Sequence, residues 1–188
     1  MPTRTRKRES VWASPELRGA QVRLRSPSPA DEAAFVALRL ASREFLAPWE
    51  ADAPDHDAFG PERFRRFLVR RADRRRWLIE RLDDGRVAGA LSLTRIDASE
   101  RSATIGFWIG AEHARRGLMG EAAHSVLAWS ASELGLALVR AFVLPENEPS
   151  RALLGKLGFT CEPGLCEPRA VGGRLRDHEL WTRALTPA

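Results

Sequence analysis

Tyrosine is absent from this 188-residue chain, and cysteine and methionine occur only twice each. Without a phenol, a tyrosine acid is excluded. Cys161 and Cys166 form a C-x4-C pair with no second pair and no histidine cluster beside it. A zinc site wants four ligands at a more regular spacing, so two free thiols in a reducing compartment are expected, and no metal. No charge-free stretch approaches the roughly 20 apolar residues of a membrane helix. The basic start Arg4-Thr5-Arg6-Lys7-Arg8 runs into no apolar segment of a secretory signal, so the expected location is the cytoplasm.

Lysine is nearly missing too: only Lys7 and Lys156 occur, and arginine supplies the rest of the 30 basic side chains. Against 25 acids they give a net charge of +5, and four of the cations lie in the first eight residues. The remaining body is close to neutral, so contact with nucleic acid is expected only through the basic tail.

What is present reads as one ordinary α/β domain. A hydrophobic share of 44% and a charged share of 29% suit a globular chain that buries a real core. Residues 1–19, with Pro2, Pro15 and Gly19 and no sustained period, read as a flexible extension, and the domain is expected over 20–186. Gln21–Arg25 alternates like a half-buried strand. Ser28, Pro29, Asp31 and Glu32 then open a helix through about Arg43. Pro48 is expected to stop helix in Glu44–Glu50, and a second helix runs from about Pro61 to Ala72. Two strands, Trp77–Arg81 and Val87–Leu93, flank the hairpin signal Asp83-Asp84-Gly85. A third covers Ala103–Ile109, and a helix from Gly117 to about Glu133 stops at Gly135. Strand Val139–Leu144, helix Glu148–Leu157 and two strands turned at Gly172-Gly173 complete a mixed sheet without internal repeats.

Between the third strand and its helix lies Ala114-Arg115-Arg116-Gly117-Leu118-Met119-Gly120. Unpaired N–H groups and partial positive charge at a helix start can hold an anion. Gly117 and Gly120 would let backbone approach a pyrophosphate, and Arg115 and Arg116 add charge. Spacing alone also permits a structural turn with solvated arginines.

Register with other segments narrows this. Over about residues 21–183 the chain resembles the GNAT superfamily of N-acetyltransferases, in particular the RimJ/RimL-type ribosomal-protein alanine N-acetyltransferases. The loop matches their Q/R-x-x-G-x-G/A pattern, with Ala114 and Met119 departing at its ends. Gly117-Leu118-Met119 followed by Glu121-Ala122 is a pattern of the RimJ branch. Phe45–Glu50 is similar to their FLxPWE loop, and Asn147, Ser150 and Leu154–Phe159 to their N-x-x-S…L-x-K-L-G-F signature. Gly172–His178 resembles their N-G-x-x-x-D-H hairpin, with Gly172 in place of Asn.

The resemblance implies a single-domain GNAT fold, a mostly antiparallel sheet splayed after Ile105–Ile109 and flanked by helices. Acetyl-CoA is the implied co-substrate, its pyrophosphate on Arg115–Gly120 and its pantetheine along the splayed strand. Backbone groups of Ile109 would lie beside the thioester. Asn147 would bond the pantetheine arm or cap its helix, and the two roles can coexist. Ser150 is the candidate acid, with an ordinary first-turn position as the plain alternative. The base is open: Thr104 stands where relatives often carry Glu, which leaves Glu100, Glu112, Glu50 and Glu167, with Glu167 in a segment where relatives are acidic. Trp49, Glu50 and Trp108, with Phe107, could wall the acceptor groove, although strand aromatics usually pack in cores. His178 reads as a hydrogen-bonded structural histidine. The expected acceptor is a protein N-terminal α-amine, plausibly ribosomal. The alternatives are a small-molecule amine, or a non-catalytic CoA- or RNA-binding module. Monomer and homodimer both fit.

Overall fold

The computed structural model describes residues 13–52 and 56–186, so the basic segment Arg4–Arg8 lies outside the described residues. The described chain opens on the sheet. Strand β1 (Leu17–Arg18) pairs antiparallel with β2 (Val22–Arg25), and ahead of it Ser14 is buried, its hydroxyl accepting from the Arg76 backbone N–H at 2.7 Å. The indole N–H of Trp77 donates to the Pro15 carbonyl at 2.8 Å. Part of the stretch expected to be a flexible extension is thus built into the domain, because Ser14, Pro15 and Leu17 find partners far along the chain that a local reading cannot see.

Pro29–Asp31 forms a 3-10 turn that leads into α1 (Glu32–Ala41). Pro48 does not end the helical path as expected. A short α2 (Arg43–Leu46) is followed by a 3-10 turn at Ala47–Trp49, and Pro48 sits in its first positions, where a missing N–H costs nothing. Next come α3 (Pro61–Leu68), β3 (Arg75–Arg81) and β4 (Val87–Asp97), the last two turned at Gly85, whose φ of +71° is left-handed. After β5 (Ser102–Ile109) comes α4 (Leu118–Glu133), which buries Leu118, Met119, Ala122, Ala123, Val126 and Leu127 along one stripe. Strand β6 (Leu138–Val143), helix α5 (Glu148–Lys156) and the strands β7 (Thr160–Val171) and β8 (Arg174–Ala184) close the chain.

The eight strands lie in the order β1-β2-β3-β4-β5-β6-β8-β7. All neighbours are antiparallel except β5 and β6, which run parallel. One face carries the larger core, where Trp77, Ile79, Leu91, Leu93, Val139 and Ala141 meet α4 and Leu154 of α5. On the other face Phe35 of α1 and Phe64 of α3 pack on Leu78, Ala90 and Trp108. Helices therefore cover both faces.

Candidate active site

The parallel pair is short. Only Ser102, Ala103 and Thr104 pair with Leu138, Val139 and Arg140. Beyond Thr104 the two strands part, and a cleft of about 570 Å³ opens between Ile105–Phe107 on one side and Ala141–Leu144 on the other. Alternation fixes which backbone groups face it. The Thr104 and Gly106 carbonyls accept from side chains of Thr94 and Ser92 on β4, both at 3.4 Å. Ile105, Phe107 and Ile109 consequently turn their N–H and C=O groups toward β6; the Ile105 N–H closes the Thr104–Arg140 pair, and beyond it no described strand meets this edge. This is the splay implied by the resemblance, and its exposed edge is equipped to bond an amide-bearing chain. The cleft is lined by Ile105 and Phe107, with Ile109 further along the same edge toward the following loop.

That loop turns at Ala111–His113 and reaches α4 through two left-handed residues, Arg115 at φ +61° and Gly117 at φ +80°. Gly117 is the N-cap of α4 and offers no side chain, so the N–H groups of Leu118, Met119 and Gly120 have no capping partner. Arg115 and Arg116 are exposed and pair with no carboxylate among the described residues. Uncapped N–H groups, the positive helix end and two free guanidiniums make an anion cradle. The side chains of Leu118 and Met119 point into the core, at 4% and 7% exposure, so these two residues can serve an anion only through backbone. Met119 stands where relatives carry a small residue because its side chain fills core volume. A Cβ on Gly120 would lie 3.6 Å from Leu153, an ordinary contact, so nothing in the protein itself demands glycine there.

Across the cleft stands the start of α5. The Asn147 carboxamide oxygen accepts from the Ser150 N–H at 3.2 Å and so caps the helix, while its Nδ2 has no partner among the described residues. Capping and ligand binding are compatible. Asn147 and Ser150 both line the cleft, and so does His178 from β8. Nδ1 of His178 lies 3.0 Å from the Arg176 carbonyl, which can only accept, so Nδ1 carries the proton. In the neutral ring the lone pair is then on Nε2, which has no partner among the described residues. Burial pushes the His178 pKa below its usual value; the hydrogen bond to the Arg176 carbonyl opposes this, and the cations of Arg169 and Arg176 act with burial. The residue read from sequence as structural is therefore a neutral imidazole with a free lone pair in the cleft. Its ligand-like setting depends on the return of β8 beside β6, and the Asp177-His178 pair was the only sequence signal.

Trp49 lines the cleft from the loop after α2. Glu50 does not reach it: one oxygen takes Arg39 at 2.5 Å and the other Arg63 at 2.7 Å, so it anchors the loop that carries Trp49. Further along, the Asp52 carboxylate accepts from the N–H groups of Gly172 and Gly173 at 2.7 and 2.8 Å, latching this loop to the β7–β8 turn. Trp108 packs edge-on against Phe35 at 5.2 Å and under the Arg39 guanidinium at 4.9 Å, on the sheet face away from Phe107. It belongs to the smaller core and is not part of the cleft lining.

None of the other acidic candidates, Glu167, Glu100 and Glu112, lines the cleft. Glu167 is clasped by Arg95 at 3.2 Å and Arg169 at 3.0 Å, and the hydrogen bond from Arg95 leads the effects that lower its pKa and weaken it as a base. Glu100 sits exposed in the β4–β5 turn, where its N–H caps Asp97 at 3.0 Å. Glu112 is likewise exposed, paired to Arg86 at 3.0 Å. No group of three or more metal-ligating side chains converges among the described residues, and no helix there is long and apolar enough to cross a membrane.

Comparison with known proteins adds the following. Residues 21–160 match the family described as acetyltransferase (GNAT) domain. An uncharacterized N-acetyltransferase of Bacillus subtilis, YoaA, is 38% identical over 87 residues, which is 46% of this chain and 49% of that protein. The match thus spans about half the length of that curated relative. Among solved structures, RimJ of Mycobacterium smegmatis in complex with CoA-disulfide superposes with a TM-score of 0.77 at 28% identity, over 90% of this chain and 86% of that one. Spermidine N-acetyltransferase from Vibrio cholerae, solved with CoA and spermine, gives a TM-score of 0.73 at 22% identity, over 88% and 96% of the two chains. The last likeness concerns the fold alone.

Proposed function

The chain belongs to the GNAT acetyltransferase family, and from that premise we propose that it moves the acetyl group of acetyl-CoA to a primary amine, with a protein N-terminal α-amine, as on a ribosomal protein, as acceptor. The observation that carries this is the parting of β5 and β6 after Thr104 next to an uncapped, arginine-flanked helix start. Acetyl-CoA supplies the activated acyl group. The N–H groups of Leu118, Met119 and Gly120, with Arg115 and Arg116, hold its phosphates, and the free backbone edge from the Ile105 carbonyl through Phe107 to Ile109 holds its amide-bearing arm. Asn147 Nδ2 bonds the same arm from the opposite wall.

His178 Nε2 accepts the proton that the amine releases on attack, and the Ser150 hydroxyl passes a proton to the departing sulfur while taking one from solvent, to which His178 later returns its own. An α-amine has an ordinary pKa of about 8, so part of it already arrives neutral and a weak base suffices. Glu167 and Glu100 fit the base role less well than His178, because one is neutralised by two arginines and the other lies on a distant turn. The neighbourhood of the cleft also bears on the acceptor. Phe142 on its wall lies under Arg169 at 4.2 Å and near Arg95 at 5.9 Å. With Glu167 between them the two arginines leave one net positive charge, which disfavours a polyamine more than a single amine that binds neutral. Thiol release from acetyl-CoA, measured with ribosomal-protein N-terminal peptides and with spermidine, tests the reading. Turnover on peptides supports it, and turnover on the polyamine alone refutes the acceptor assignment.

A further inference from the structure

The near-neutral body hides a separation of charge. Residues 61–76 hold eight arginines against Glu62 and Asp73, and residues 1–13 hold four cations against Glu9. With the whole chain at +5, everything outside those two segments carries a net −4. The fold gathers the first segment into α3 and the turn before β3. Arg65, Arg66, Arg70 and Arg71 are exposed there. Arg70, Arg74 and Arg76 line a shallow, open hollow together with Ala13, Ser14 and Ser26. Inside it, Arg74 Nε is buried without a hydrogen bond, its nearest carboxylate oxygen, on Asp73, standing 3.5 Å away. Burial, reinforced by repulsion from Arg74, Arg63 and Arg71, lowers the Arg76 guanidinium to about 10, a sign of cations crowded beyond what the local acids offset.

We propose that this edge binds the phosphodiester backbone of a nucleic acid, with one phosphate in the hollow at Arg70, Arg74 and Arg76 and its neighbours on the exposed guanidiniums. Arginine forks match phosphate oxygens, and backbone neutralisation needs no apolar anchor. A folded acidic protein would need a buried apolar centre to its interface, and Val69, at 51% exposure, is the one large exposed apolar residue of this segment. The patch also borders the catalytic face. Arg76 pairs with Ser92, and Ser92 pairs with Gly106 of the cleft, two strand spacings that total about 10 Å. An acceptor protein carried on nucleic acid would therefore be presented next to the cleft. The charge placement stands whether or not acetyl transfer occurs.

The test is fluorescence anisotropy of the full chain with a single-stranded RNA, a single-stranded DNA and polyglutamate, at 50 and 200 mM salt. The variants are R70Q/R71Q/R74Q and, as an equal loss of charge elsewhere, R18Q/R86Q/R174Q. Three phosphate contacts at a salt slope of about 0.7 each mean that wild-type affinity falls roughly 18-fold more than that of the patch variant over this salt range. Equal binding of RNA and DNA supports backbone recognition, and tighter RNA binding adds a 2′-hydroxyl contact. The proposal is overturned if the patch variant binds like wild type, if the control variant weakens as much, or if polyglutamate binds as tightly as the nucleic acids. Should the triple variant fold poorly, exposed Arg71→Gln alone must lower the salt slope by about 0.7. Acetyl transfer to a free peptide serves as the folding control and stays unchanged, which separates failure here from failure of the enzymatic reading.

Discussion

Replacing His178 by Asn separates the chemistry of the cleft from its architecture. The Asn carboxamide nitrogen falls near the place of Nδ1, so the hydrogen bond to the Arg176 carbonyl, 3.0 Å in the native protein, can be kept. What disappears is Nε2. Even complete loss of that hydrogen bond would cost only about 1 kcal/mol of stability. Loss of a general base costs about 10²- to 10⁴-fold in rate, or roughly 3–5 kcal/mol of barrier. The two effects differ enough to be told apart by measuring melting temperature and kcat/KM on the same sample. The pH profile gives a second handle. Burial lowers the His178 pKa, so the ring is neutral at pH 7 and takes up a proton only below its ordinary value of 6.5. Wild-type kcat/KM with a peptide amine therefore falls on the acid side as pH drops through that lowered pKa, and rises toward pH 8 as the amine deprotonates. In His178→Asn the histidine limb is gone and only the amine limb remains. A variant within threefold of wild type, with its acid limb intact, would remove His178 from the mechanism.

Three further outcomes follow from the geometry. The double variant R115Q/R116Q weakens CoA by about tenfold or more in a calorimetric titration, while a truncated donor without the phosphates binds as before. Arg39→Ala, which strips the partner of Glu50 from a fully buried site under Phe59 and Trp108, lowers stability by about 3–5 kcal/mol in urea unfolding. His113 and His178 are both held below the usual histidine pKa by burial. The unfolded chain therefore binds more protons than the folded one below pH 6.5, so stability is fully present above that value and falls as pH drops toward the folded pKa values. Thermal melts between pH 7.5 and 5.5 show this decline, and it is shallower in His113→Gln.

Much of the architecture was legible because it is local. The hairpin at Asp83-Asp84-Gly85, the helix that follows Gly117 and its stop at Gly135 each depend on neighbours a few residues away, and the structure has all three. The glycine loop was legible as well, since Gly117 works by its own backbone angle. What escaped depends on long separations. Pro15 and Trp77 are 62 residues apart, and their contact made a sheet edge of what looked like an extension. Glu167 read as a free acid because its partner Arg95 lies 72 residues away. His178 gained its place in the cleft only through β8 returning beside β6, and Asp52 its role as a latch through the β7–β8 turn. The arginine-rich edge went unread for another reason: a net charge summed over the body cancels the local excess in residues 61–76.

The account rests on acetyl transfer at the opening between β5 and β6, and incubation with acetyl-CoA and a ribosomal-protein N-terminal peptide reads it directly. Mass spectrometry of the peptide, with thiol release followed in parallel, is predicted to show one acetyl group on the α-amine for each CoA freed. An unmodified peptide, with no thiol released on any amine tested while CoA still binds the folded protein, would contradict it.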